Sequence, residues 1–261
     1  MSPGPGDPAA VDPGYSVSGP PGSPTLVFVH GTRLTRAAWG PQVAGLSDTY
    51  RTIAVDLPGH GTLADREFTL EAAADHLAAA IDDAATDRRA IVVGLSLGGY
   101  VAMELAARSP ERVRGLVLAG ATAEPTGPKM LPYLAIAKVM SSVDAARLDV
   151  VNRWFFRRRF PAAVADPIVD GGFWSLGGAS ALRAVAGHRF LPLLEAYEGP
   201  TLIINGALDL PFRLFSKSFA RSAHGAHRVR LAGATHLSNL DRPAAFNEAI
   251  RRFERSLDPA P

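Results

Sequence analysis

Short, continuously apolar runs recur along this chain, and a longer stretch with helical character follows most of them. A strand that is buried on both faces of a sheet is apolar throughout instead of alternating with polar residues. The apolar runs predict strands over 26–29, 52–55, 91–93, 113–118, 202–204 and 229–231, with an edge strand over 15–18. The helical patterns predict helices over 37–46, 70–84, 97–108, 211–222 and 244–257. This alternation predicts an α/β fold with a mostly parallel central sheet and helices on both faces.

The segment from about 121 to 197 interrupts this alternation. It contains no strand-like run, and its pattern predicts several helices over 131–141, 145–159, 179–186 and 190–197. The first residues of the chain are rich in proline and glycine, which is typical of a disordered leader. The sequence therefore predicts a leader over 1–13, an α/β core over 14–120 and 198–261, and an inserted all-helical segment over 121–197.

Composition and charge exclude several classes of function. The 261 residues include no cysteine, which rules out disulfides, thiolate catalysis and cysteine-ligated metal sites. The formal net charge of +2 gives no electrostatic reason to expect a nucleic-acid partner. No run approaches the ~18 apolar residues of a membrane span, and the N-terminus lacks the apolar core of a secretory signal. We expect a cytoplasmic protein without a membrane span.

Residues 94–99 read Gly-Leu-Ser-Leu-Gly-Gly and follow directly on a predicted strand. A strand, a Gly-x-Ser-x-Gly turn and a helix form a nucleophile elbow, in which glycine permits the sharp turn and the serine side chain stays exposed. The amide of Leu97 lies at the start of the following helix, where unpaired N–H groups favour negative charge. The segment therefore predicts Ser96 as a nucleophile beside half of an oxyanion hole.

A serine nucleophile needs a base and an acid that orients the base. His236 follows the predicted strand 229–231, and Asp209 follows the predicted strand 202–204, so both come at strand ends, as Ser96 does. Glu124, which comes shortly after the strand 113–118, is the alternative acid. We predict that Asp241 is the N-cap of the last helix.

The chain order Ser96, Asp209, His236 resembles that of the α/β-hydrolase superfamily, specifically a serine-nucleophile esterase or lactonase with a helical cap. The strand that ends in His30-Gly31 is similar to the family's oxyanion loop, and Trp39 lies where many members carry a tryptophan. Residues 56–61, Asp-Leu-Pro-Gly-His-Gly, match the family's turn after the next strand. The resemblance covers about residues 14–257 apart from the helical insertion.

This resemblance implies a role for each matching residue. Ser96 is the nucleophile, His236 is the general base and then acid, Asp209 orients His236, and the amides of Thr32 and Leu97 form the oxyanion hole. The insertion 121–197 becomes a cap that lines the substrate pocket. The candidate substrate contacts are His30, Trp39, Leu131, Tyr133, Trp154, Phe173 and Trp174. For each of them the alternative is packing within the cap or core, and for His30 it is a structural bond near the oxyanion loop.

The predicted function is hydrolysis of a carboxylic ester bond in a small, largely apolar molecule, without a cofactor or a metal ion. A lactonase, a thioesterase or a carbon–carbon bond hydrolase uses the same triad, and a lyase, a cyclase or a ligand receptor is the alternative outside hydrolysis. The sequence does not indicate an oligomeric state. The basic residues 153–159 suggest attraction of an anionic substrate or a membrane surface, or else a solvated helix face.

Overall fold

One central sheet organises the computed structural model, which describes residues 12–257. The predicted leader 1–13 lies outside the described residues, apart from 12 and 13. The strands are β1 (Tyr15–Ser18), β2 (Thr25–Val29), β3 (Arg51–Val55), β4 (Ala90–Leu95), β5 (Val113–Ala119), β6 (Thr201–Gly206) and β7 (His227–Leu231). Each of them coincides with a predicted strand or extends it by a few residues.

The sheet has the order β1-β3-β2-β4-β5-β6-β7. Strand β1 pairs antiparallel with β3 at one edge, and all the other neighbours are parallel. The carboxyl ends of parallel strands meet at the same edge of a sheet, where open α/β folds place their ligands. The loops after β2, β4, β6 and β7 therefore lie at one edge. This arrangement confirms the predicted α/β fold class.

Helices cover both faces of the sheet. They are α1 (Gly40–Leu46), α2 (Leu70–Ala84), α3 (Leu97–Arg108), α4 (Leu131–Ser142), α5 (Ala145–Arg159), α6 (Ala162–Asp170), α7 (Ser175–Val185), α8 (Leu191–Ala196), α9 (Leu210–Ser222), α10 (Ser238–Asp241) and α11 (Pro243–Leu257). The pattern does not predict α6, which contains Pro167, and it predicts α7 four residues too late because glycines occupy its first turns.

Two hydrophobic clusters lie on opposite faces of the sheet, one beneath α2 and α3 and the other beneath α1 and α11. Helix α11 buries Phe246, Ile250 and Phe253, which lie on one face because they are four and three residues apart. The burial of each such side chain contributes about 1.5–3 kcal/mol to the free energy of unfolding. Trp39 is fully buried in the second cluster, with its ring stacked on Phe28 at 5.0 Å.

Five of these helices, α4 to α8, follow one another between β5 and β6 without an intervening strand. Helix α4 packs against α7, and α5 packs against α6. A third hydrophobic cluster joins Phe156 of α5 and Phe160, which directly follows α5, to Leu34 and Ala38 of the core. This contact holds α5 next to the loop that follows β2. Within residues 12–257, no helix is both long enough and apolar enough to cross a membrane.

Candidate active site

Ser96 occupies a sharp turn between β4 and α3. Its backbone has φ 53° and ψ −113°, a conformation that residues other than glycine rarely adopt. Such a conformation costs on the order of 1–3 kcal/mol and persists only when the surroundings hold it in place. The Ser96 N–H donates to the Ala119 carbonyl of β5 at 2.7 Å, which contributes to that hold.

The elbow requires the glycines that flank Ser96. A Cβ atom on Gly94 would lie 2.3 Å from the Gly98 carbonyl oxygen. A Cβ atom on Gly98 would lie 2.1 Å from the Val29 carbonyl oxygen at the end of β2. Both distances are far below van der Waals contact, so any larger residue would push the start of α3 away from the sheet. The close approach brings the first amides of α3 next to the loop that follows β2.

The loop after β2 lies directly beside Ser96. A Cβ atom on Gly31 would be 3.6 Å from the Ser96 Cβ atom. Within residues 12–257, no acceptor is hydrogen-bonded to the N–H of Thr32 or of Leu97. Two amides without a partner beside a serine side chain have the chemistry that a developing oxyanion requires.

His236 and Asp209 form a hydrogen-bonded pair at the neighbouring strand ends. The distance from His236 Nδ1 to Asp209 Oδ2 is 2.9 Å, and a carboxylate here accepts the ring N–H. The other ring nitrogen, Nε2, is then the basic one. The Phe212 ring stacks on His236 with 4.7 Å between centroids. His236 and Ser96 line the same cleft, so the structure brings the three predicted catalytic residues together.

Asp241 braces the loop that carries His236. Its Oδ2 accepts hydrogen bonds from the Thr235 N–H at 2.7 Å and from the Thr235 hydroxyl at 2.6 Å. Arg159 of α5 pairs with the same carboxylate at 2.6 Å. The prediction that Asp241 caps the last helix is wrong, because its carboxylate points back to the loop that precedes α10. This loop is therefore anchored on both the core and the inserted helices.

The alternative acid, Glu124, has another partner. Its carboxylate accepts hydrogen bonds from the N–H groups of Phe190 and Leu191, each at 3.1 Å. These amides start α8, where a carboxylate satisfies unpaired donors and complements the helix dipole. Glu124 thus stabilises the start of α8, and Asp209 is the carboxylate that contacts His236.

Two buried histidines hold the loop after β2. His30 bonds the Gly31 carbonyl through Nδ1 and accepts the Leu57 N–H through Nε2 at 3.0 Å. His60 bonds the Pro58 carbonyl through Nδ1 and accepts the Arg33 N–H through Nε2 at 3.3 Å. Each ring needs its Nδ1 protonated and its Nε2 free, which is a neutral imidazole. His30 is therefore a structural residue and not the substrate contact that the sequence suggests.

These histidines predict a loss of stability in acid. Burial, together with the neighbouring His30 ring, lowers the pKa of His60 to about 3 from 6.5. Between these values the unfolded chain binds a proton that the folded chain does not bind, so the free energy of unfolding falls as the pH decreases. One such group contributes a slope of up to ~1.4 kcal/mol per pH unit. Urea unfolding at several pH values measures that slope, which we expect to flatten in His60→Gln.

His224, which is exposed in a loop, offers the matched control. We expect His224→Gln to keep the wild-type dependence of stability on pH. Parallel slopes for the wild type and His60→Gln would contradict the role given to the buried ring.

A cleft of about 280 Å³ opens at Ser96. Besides residues 31–34, its walls are Leu95, Ser96, His236 and Leu237 from the core and Asn152, Phe155, Phe156 and Phe173 from the inserted segment. These walls are mostly apolar. A larger groove of about 480 Å³ between β7 and α11 contains none of the candidate catalytic residues.

The sequence predicts seven substrate contacts, and only Phe173 among them lines this cleft. Trp39 lies in the core and His30 holds the loop, while Leu131 and Trp154 are 59% and 67% exposed outside the cleft. The hydroxyl of Tyr133 contacts that of Tyr100 at 2.7 Å, and Trp174 donates to the Gly171 carbonyl at 3.0 Å. We therefore withdraw these six as substrate contacts.

Sequence reasoning missed Arg33, Asn152 and Phe156 in the cleft wall. Asn152 and Phe156 are four residues apart on α5, and Phe160 continues the same inward face. Trp154 lies on the opposite side of that helix and faces solvent. The helical spacing was thus a usable signal, although it does not reveal which face meets the core.

The basic residues 153–159 are largely paired. Arg153 contacts Asp149, Arg157 contacts Asp166 at 3.3 Å, and Arg159 contacts Asp241 at 2.6 Å. Arg157 and Arg159 thus connect α5 to other elements, and Arg153 pairs within α5 itself. Within residues 12–257, no group of three or more histidine, aspartate or glutamate side chains is arranged to hold a metal ion.

Comparisons with known proteins agree with this architecture. The family model described as "Alpha/beta hydrolase family" matches residues 26–249. The pimeloyl-[acyl-carrier protein] methyl ester esterase of Neisseria meningitidis serogroup C is 31% identical over 246 residues, covering 87% of this chain and 92% of the relative. The 3-oxoadipate enol-lactonase 1 of Acinetobacter baylyi is 25% identical and covers 92% of each chain. The solved enol-lactonase of Burkholderia xenovorans has a TM-score of 0.78 at 27% identity, covering 92% of this chain and 95% of that one.

Proposed function

This chain belongs to the alpha/beta hydrolase family and is a hydrolase, and from this premise we propose that it cleaves carboxylic esters through an acyl-enzyme on Ser96. In this proposal His236 is the general base, Asp209 orients it, and the amides of Thr32 and Leu97 bind the oxyanion. The helices of residues 121–197 act as the cap over the site. The substrate is a small molecule.

The proposed reaction proceeds in two halves. Ser96 Oγ attacks the ester carbonyl carbon while His236 Nε2 takes the hydroxyl proton, and the carbonyl oxygen becomes an oxyanion between the two amides. Collapse of this intermediate breaks the bond to the alkoxy group, which leaves as an alcohol with the proton from His236. A water molecule then attacks the acyl-enzyme by the same route and releases the acid and free Ser96.

The observation that supports this proposal best is the His236–Asp209 pair at 2.9 Å, in a loop that faces the same cleft as Ser96. A buried carboxylate that accepts a hydrogen bond from the Nδ1–H group leaves Nε2 basic and stabilises the imidazolium that forms during attack. The strained backbone of Ser96 adds support, because such strain clusters at functional sites.

A lactone is the second candidate substrate, because an enol-lactonase is among the relatives that cover most of this chain. A lactone is an internal ester, so the proposed steps apply unchanged and the leaving alkoxy group stays attached to the acyl group. Release of one product instead of two distinguishes this case.

The proposal predicts a chain-length preference with p-nitrophenyl esters from acetate to decanoate. We expect turnover of the short members and a steep fall toward decanoate, because the cleft holds only about 280 Å³. The measurement is kcat/KM across the series for the wild type and Ser96→Ala, with p-nitrophenol release followed by absorbance. If a folded wild type cleaved none of these esters and no lactone, the proposed function would be wrong.

A further inference from the structure

Arg33 brings a cationic side chain to the wall of the cleft at Ser96. It follows Thr32 in the loop after β2 and lines the cleft together with Ser96. Its backbone has φ 66°, and its N–H donates to His60. This hydrogen bond fixes the position of the Arg33 backbone, from which the side chain extends. The stem of the side chain packs against Gly178 of α7, where a Cβ atom would come 2.8 Å from the Arg33 Cγ atom.

No carboxylate within residues 12–257 forms an ion pair with Arg33. The guanidinium donates instead to a neutral acceptor, Asn152 Oδ1, at 3.1 Å. Nearby arginines do have acidic partners, as Arg36 pairs with Asp12 and Arg159 with Asp241. Burial lowers the pKa of Arg33, yet a guanidinium stays charged at neutral pH. A partly desolvated cation without a counter-charge is costly to keep, which favours an anionic ligand.

Asn152 supplies a second donor at the same place. The residue is only 8% exposed and lines the cleft, and its Nδ2 is buried without a hydrogen-bond partner. Because Oδ1 accepts from Arg33, the N–H groups of Nδ2 remain without an acceptor. The hydroxyl of Thr32, also in the cleft wall, is likewise buried without a partner. The cleft wall therefore contains one cationic side chain and two neutral side chains with unpartnered polar atoms, and none of the three carries a negative charge.

We propose that the substrate carries a free carboxylate besides its ester bond, and that Arg33 and Asn152 bind this carboxylate. The proposal rests on the function proposed above and names its substrate class. A guanidinium fork matches the two oxygens of a carboxylate, and the Asn152 amide takes one of the remaining lone pairs. The apolar side chains of Phe156, Phe173 and Leu237 line the rest of the cleft and contact the intervening carbons.

The test compares esters that differ only in this charge. Monomethyl glutarate and monomethyl adipate carry the carboxylate, and the corresponding methyl ester amides are neutral and of nearly the same shape. We expect kcat/KM for each acid to exceed that for its amide by about 10- to 100-fold, because hydrogen bonds between a cation and a carboxylate have about this effect on binding. Methanol release measured by proton NMR gives the rates.

Variants assign this preference to the proposed residues. We expect Arg33→Met to lower the acid-to-amide ratio by about 10- to 100-fold, since it removes the cation and keeps the length of the side chain. Asn152→Asp should lower the ratio as well, because its carboxylate would pair with Arg33 and repel the ligand. Arg158→Met removes the same charge from the exposed face of α5, outside the cleft, and should leave the ratio unchanged.

The outcomes separate the two proposals. Serine-dependent cleavage of the neutral esters, with an acid-to-amide ratio near one in the wild type, would overturn the carboxylate site and leave the esterase proposal intact. Equal ratios in the wild type, Arg33→Met and Asn152→Asp would do the same. If no ester is cleaved, calorimetric titration of monomethyl glutarate into the wild type and Arg33→Met still decides. Binding at least 10-fold weaker in the variant supports the site, and equal or absent binding overturns it.

Discussion

Replacing Ser96 with alanine should lower kcat for ester hydrolysis by at least about 10³-fold and abolish acyl-enzyme formation. The change removes the only atom that attacks the carbonyl in the proposed reaction. The methyl group of alanine occupies the space of the Cβ atom, so the strained turn and the flanking glycines keep their contacts. The oxyanion amides and the cleft remain, and any residual turnover measures their contribution without a nucleophile.

Kinetics and covalent labelling together check this result. We expect a fluorophosphonate probe to label the wild type and to leave Ser96→Ala unlabelled. Ser222→Ala serves as the matched control, because this serine on α9 bonds Glu195 at the surface and should keep both labelling and rate. Circular dichroism establishes that both variants are folded. Retention of the wild-type rate by a folded Ser96→Ala would contradict the proposal that the reaction forms an acyl-enzyme on Ser96.

The second large effect is expected for Asp209→Asn, with a loss of about 10³–10⁴-fold in kcat. In the wild type the Asp209 carboxylate accepts a hydrogen bond from the His236 Nδ1–H group, with 2.9 Å between Nδ1 and Oδ2. The asparagine amide offers an N–H group in the same place, which favours the tautomer with the proton on Nε2. That nitrogen then cannot take the Ser96 proton. We expect KM to change far less than kcat, because Asp209 does not line the cleft.

Glu124→Gln is the control that tests the choice of acid. Its carboxylate holds the first amides of α8, so the neutral variant should keep the wild-type rate and lose some stability. Steady-state kinetics of both variants, with urea unfolding for stability, gives the comparison. If Glu124→Gln lost activity while Asp209→Asn retained it, the assigned acid would be wrong.

Much of the core could be predicted because its strands and its sharp turn depend on residues that are adjacent in the sequence. A strand buried on both faces needs apolar side chains at every position, so β2, β4, β5 and β6 were visible as apolar runs. The glycines around Ser96 are required because the backbone of the turn and of the adjacent β2 lies too close for a Cβ atom. Their spacing in the sequence therefore indicates the elbow. The triad candidates follow from the same logic, since each comes after a strand whose carboxyl end lies at the shared edge.

The inserted helices of residues 121–197 were less predictable, because their sequence pattern does not indicate which face of each helix meets the core. Trp154 and Leu131 look like pocket residues by size, yet both face solvent. Trp39 looks like a site residue by position, yet it fills the core beneath α1 and α11. Large apolar side chains satisfy burial in a pocket, in a core or between helices, so residue type alone does not choose among these places.

The sequence by itself therefore determined the strands and the long helices of the α/β core, the elbow at Ser96 and the three side chains that follow the strand ends. These features depend on backbone conformation and on burial of neighbouring residues. Only the tertiary structure decided that Asp209 rather than Glu124 contacts His236, and that Asn152 meets Arg33 across 119 residues of sequence. The first contact depends on how the loops after β6 and β7 meet, and the second on how α5 packs against the loop after β2. Packing of this kind depends on the shapes of both partners at once.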